Sequence, residues 1–95
     1  MFVATLTYTG AVEDIDARRA EHREWLDPHV ASGLLLATGP MIPRTGGVLI
    51  ASGKISRAEL EELLKQDPFS VHGLVDYAVV EFEAIKLNPA LVGLA

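Results

Sequence analysis

Two helix-forming stretches, each set between runs of β-forming residues, limit what this chain can become more than any other feature. Residues 2–8, "FVATLTY", put Phe2, Ala4, Leu6 and Tyr8 on one side of a strand. "GAVED" breaks that strand, and Glu13 or Asp14 can open a helix that runs to about Ser32, where Gly33 suits the left-handed position past a helix end. "LLLATG" reads as a buried strand, "PMIPRTGG" as a turn or hairpin loop, and "VLIAS" as a third strand. Ser56 with Glu59 forms a capping box that opens the second helix, Ile55 can staple onto Leu60, and Leu60, Leu63 and Leu64 form its core stripe. Asp67-Pro68 reads as its stop, since proline supplies no backbone N–H and disfavours helix at the residue before it. The last strand is "VDYAVVEFEAI", and the tail "KLNPALVGLA" (86–95) is apolar enough to need a neighbour to pack on. The order is β-α-β-β-α-β. That predicts an α+β, ferredoxin-like domain over residues 1–95, with a four-stranded antiparallel sheet carrying both helices on one face.

Such a sheet leaves its second face bare, and a second copy stacked sheet to sheet would cover it. At 95 residues and 49% hydrophobic, the chain buries one thin core and leaves apolar surface over, so a homodimer is expected. The net charge of −5 and the eight scattered Lys and Arg residues give no basic face, which argues against nucleic acid as a partner. There is no cysteine, so disulfides and thiolate sites are excluded and a reducing cytoplasm is permitted. "MFVATLTYTG" has no basic leader before a long apolar run, and no stretch approaches the roughly 18 apolar residues of a membrane span. The expectation is a soluble, cytoplasmic protein with no membrane partner.

The first helix contains the most informative residue. At about 100° per residue, Ile15, Arg19, His22, Leu26 and His29 share one stripe, so His22 points toward the sheet, where Leu or Ile is usual. One reading is a core histidine satisfied by a backbone carbonyl. The other pairs it with Asp67, at the end of the helix that packs beside the first. A carboxylate taking Nδ1–H would fix the tautomer and leave Nε2 as a base. His22 and His29 lie two turns apart and lack the spacing of common zinc motifs, so no metal site is expected. His72, beyond the turn, can join the site or simply be solvated. Arg18 or Arg19 can clamp an anion or serve as surface charge, and Trp25 belongs to the core or an interface. Ser52 and Ser56 lack the context of a nucleophile, and "TGG" at 45–47 fits a turn and lacks a P-loop lysine.

"RRAEHREWL", Gly33, "LLLATGPM", "TGGVLI", the Ser-led helix, "KQDPF" and a final strand with an aromatic together resemble the YCII family, from about Phe2 to Phe82. That resemblance implies a dimeric α+β barrel with an active site built on a His–Asp pair, here His22 and Asp67. It also implies that Gly39, Pro40 and Phe69 shape the pocket. It further implies kinship with muconolactone isomerases and with a dehydrochlorinase branch acting on chlorinated hydroxylated aromatics. The favoured function is a cofactor-independent small-molecule enzyme of the lyase or isomerase type. In it His22 moves a proton, Asp67 orients it, and Arg19, Gly39, Pro40, Phe69 and His72 contact substrate. The alternatives are a module of the same fold that binds a small ligand without turnover, and a purely structural subunit.

Overall fold

The β-rich start of the chain forms β1 (Phe2–Tyr8), the central strand around which the computed structural model of all 95 residues is built. It is followed by α1 (Val12–Ala31), β2 (Leu35–Pro40), β3 (Gly46–Ala51), α2 (Arg57–Leu64), α3 (Pro68–Val71) and β4 (Val75–Glu81), with a single 3₁₀ turn at Pro89–Leu91. The strands lie in the order β2-β3-β1-β4 and every neighbouring pair is antiparallel, which is the ferredoxin-like arrangement.

Alternation along the strands sorts the sheet into two faces. Phe2, Ala4 and Leu6 of β1, Leu49 and Ala51 of β3 and Val75 of β4 are buried beneath the helices with Ile15, Leu26, Leu60, Leu64 and Phe69. The opposite face carries Val3, Val48, Ile50, Ala78 and Val80, and Val80 is 60% exposed. No helix is long and apolar enough to cross a membrane.

Several boundaries differ from the sequence reading, each for a local reason. Helix α1 starts at Val12 with Ala11 as its N-cap and no side-chain cap, and Glu13 and Asp14 fall in its first turn, where the helix dipole favours them. Gly33, with φ of 80°, ends it as expected. Gly46 and Gly47 belong to β3 and not to the preceding turn. They pair with Thr7 and Leu6, and a side chain at Gly46 would collide with the Leu6 carbonyl. The last strand stops at Glu81, four residues early, because β1 begins at Phe2 and the ladder has nothing left to pair with beyond the Phe82 N–H to Met1 C=O bond of 3.0 Å. The tail ends on its own chain. The Gly53 N–H donates to the Leu94 carbonyl at 2.7 Å, while Ile85 and Val92 stay exposed.

Candidate active site

Asp67 reaches its position by a route the sequence reading did not give. Helix α2 ends at Leu64, and "DPF" is the start of the short helix α3. Asp67 is the N-cap and Pro68 takes the first helical position, where its missing N–H costs nothing. The Asp67 carboxylate is fully buried and accepts from three donors. Oδ1 takes the Phe69 backbone N–H at 3.0 Å and His22 Nδ1–H at 2.8 Å, and Oδ2 takes the Tyr77 hydroxyl. A buried carboxylate is tolerated only when its oxygens are satisfied in this way.

His22 arrives from the middle of α1, with its side chain 14% exposed. Its ring stacks on Phe69 at 4.1 Å between centroids and 13° between planes, and Trp25 stands 6.1 Å away. Phe69 is therefore a wall against the imidazole as well as part of the core. With Nδ1 held by Asp67, Nε2 makes no hydrogen bond within the chain, and His22 lines an open cavity of about 660 Å³.

That cavity lies between α1 and the β1–β3–β2 part of the sheet. Arg19, His22, Arg23, Leu26 and Asp27 line it from α1, Leu6 and Tyr8 from β1, and Thr38, Gly39 and Pro40 from β2. Gly46 and Gly47 of β3, Arg44 from the β2–β3 loop and Phe69 from α3 complete it. Arg44 is held by Asp16 at 2.8 Å and lies 5.9 Å from the centre of the Tyr8 ring. Its hydrogen bond holds the Asp16 carboxyl below the usual carboxylate range.

The structure thus brings His22, Asp67, Arg19, Gly39, Pro40 and Phe69 to one place. It leaves His72 out of the cavity lining, exposed at the C-cap of α3. Arg18 pairs with Glu21 on the surface at 2.9 Å, and His29 packs edge-on to Trp25 at 5.5 Å beside a smaller cleft. No group of three His, Cys, Asp or Glu side chains is placed to hold a metal ion. Arg23, Arg44, Tyr8 and Tyr77 were missed. Two of them had a usable signal: period-two alternation turns Tyr8 to the face of Phe2, Ala4 and Leu6 and Tyr77 to the face of Val75, and a buried tyrosine hydroxyl needs a partner.

The lining contains no Ser, Cys or Lys, and no hydrogen bond joins its Thr38 hydroxyl to His22 as a nucleophile–base pair would require. What it offers is a histidine with a fixed tautomer, a free Nε2 and nearby guanidinium groups. That set can move a proton on a bound small molecule and stabilise the resulting anion.

A model of the YCII-related domain matches residues 1–83. The chain belongs to the YCII family. No curated protein matches the chain significantly. Among solved structures, the 5-chloro-2-hydroxyhydroquinone dehydrochlorinase of Burkholderia phenoliruptrix AC1100, in complex with 2,5-dihydroxybenzoquinone, superposes with a TM-score of 0.72 at 22% identity. The match covers 87% of this YCII chain and 94% of that one. At that identity the likeness establishes a shared fold.

Tyr77 gives this site a measurable signature. Burial first, then the charge and hydrogen bond of Asp67, push its hydroxyl well above the ordinary value of 10.0. The folded chain therefore binds this proton more tightly than the unfolded chain does. Its contribution is complete below about pH 10 and is lost above it, by up to about 1.4 kcal/mol per pH unit. Urea unfolding at pH 8 is expected to show Tyr77→Phe less stable by about 1–2 kcal/mol, with the gap narrowing at pH 11. An equal gap at both pH values would count against a proton held by the buried pair.

Proposed function

We propose that this YCII protein is a small-molecule enzyme catalysing proton transfer of the lyase or isomerase type without a cofactor. His22 Nε2 is the acid–base group, and Asp67 holds Nδ1–H and stabilises the imidazolium when it forms. The observation that carries this reading is the 2.8 Å His22–Asp67 bond beside a cavity that His22 lines, with Nε2 making no hydrogen bond within the chain. The similar fold of a dehydrochlorinase supports the reaction class, since removing HCl from a ring needs a base for the proton and room for chloride to leave. In that chemistry His22 takes the C–H proton, the C–H electron pair becomes the new double bond, and chloride departs with its own pair. An isomerase would return the proton to another carbon. Arg19, Gly39, Pro40 and Phe69 form the substrate contacts.

Incubating the protein with a panel of lactones and substituted hydroquinones tests the proposal. Turnover of one class, lost in His22→Gln with the fold intact, is the expected result. Saturable binding without turnover across the panel would assign the cavity to a ligand-binding module.

We read the working unit as a cytoplasmic homodimer, because the apolar sheet face of Val3, Val48, Ile50 and Val80 has no cover within one chain and the absence of cysteine suits a reducing compartment. Sedimentation equilibrium should return twice the 10.2 kDa chain mass, and a monomer at micromolar concentration would sink the assembly.

A further inference from the structure

We infer that Arg19 and Arg23, flanking His22 on α1, form a subsite for the carboxylate of a small cyclic acid. This rests on the proposed enzyme reading of the cavity and adds the charge class of its substrate.

The chain has 13 acidic and eight basic side chains, yet three of the basic ones, Arg19, Arg23 and Arg44, line the cavity, against one acid, Asp27. In a chain of net charge −5, the cavity lining thus carries more cations than anions. The three differ in how far their charge is already answered. Arg44 is committed to Asp16 at 2.8 Å, and Arg19 reaches the same Asp16 oxygen only at 3.6 Å. Arg23 has no ion pair or hydrogen bond within the chain, although Asp27 stands one turn further along the helix.

Arg19 and Arg23 are four residues apart, so two like charges face each other on one side of α1 at a cost of a few tenths of a kcal/mol (about 0.2–0.5) that an anion between them would reverse. A guanidinium offers a planar fork that matches a carboxylate bidentately, and two such forks favour that group over a neutral one. Leu6, Leu26 and Phe69 give the same cavity an apolar floor. A carboxylate held by Arg19 and Arg23 would bring the attached ring to His22, which lies between them in sequence and lines the same cavity.

Three probes separate charge from shape: 2,5-dihydroxybenzoate, its isosteric amide 2,5-dihydroxybenzamide, and hydroquinone, which lacks the substituent. Binding is followed by calorimetry and by the fluorescence of Trp25, the chain's only tryptophan, whose ring lies 6.1 Å from His22. The carboxylate is expected to bind about tenfold or more tighter than the amide, a difference of about 1.4 kcal/mol. In Arg23→Gln that preference should fall to about threefold or less, while Lys54→Gln, outside the cavity, leaves it intact. Amide and hydroquinone binding as tightly as the carboxylate overturns the subsite and leaves the cavity as a binding site. Failure of all three to bind overturns the cavity reading and the subsite with it. A carboxylate preference unchanged in Arg23→Gln also counts against the assignment.

Discussion

Asp67→Ala is expected to be the most destabilising single substitution in this protein, lowering stability by about 3–5 kcal/mol. The side chain is fully buried, and one alanine removes every acceptor it provides. The Phe69 N–H loses its cap, the Tyr77 hydroxyl is left in a mostly buried site without a partner, and His22 loses what fixes its ring. A lost N-cap alone costs about 1 kcal/mol, and each buried donor left unpaired costs about 1–3 more. Domains of this size carry about 5–15 kcal/mol in all, so the loss lowers Tm by about 15 °C or more. Asp67→Asn keeps an oxygen for the Phe69 N–H but sets an NH₂ among donors, so about half that loss is expected. Thermal and urea melts of the two variants check the order. A loss below about 1 kcal/mol for alanine would mean that Asp67 is not the shared acceptor of α1, α3 and β4.

The architecture was legible because its signals are local. Alternation in "FVATLTY", the Ser56 cap (which accepts the Glu59 N–H at 3.1 Å) and Gly33 at the end of α1 each act within a few residues. The site was legible to the extent that helical periodicity turns His22 inward, where a polar ring needs a partner. Asp67 was found for a reason that proved incomplete. Asp-Pro both ends helices and begins them, and which it does depends on whether Phe69 can be buried just after it, a tertiary fact. The same ambiguity bears on His72, which reads as a turn residue past Pro68 and is the exposed C-cap of α3. Gly46 and Gly47 read as a turn because glycine usually means one, and the close approach of the Leu6 carbonyl that requires Gly46 is invisible until β1 and β3 are paired. Arg44 was out of reach for a related reason: it meets Asp16 across 28 positions of chain.

His22→Gln is expected to lower kcat by about 10²–10⁴-fold on whichever member of the panel the protein turns over. Glutamine retains an N–H that can reach Asp67, so the buried carboxylate keeps a donor and the fold should survive, yet an amide cannot carry a proton through the reaction. KM should change little, because the proposed substrate contacts of Arg19, Arg23 and the cavity walls are untouched when His22 is replaced, and the group removed is the one that acts on the proton. A loss confined to KM would make His22 a binding group. His22→Ala supplies the complementary experiment. It removes the ring stacked on Phe69 and opens a space continuous with the cavity, into which free imidazole fits. Added imidazole should restore part of kcat in His22→Ala and none in His22→Gln, where the space is filled. Rescue that depends on Asp67 as well, and disappears in His22→Ala/Asp67→Asn, would separate a base oriented by its carboxylate from one that merely sits near it.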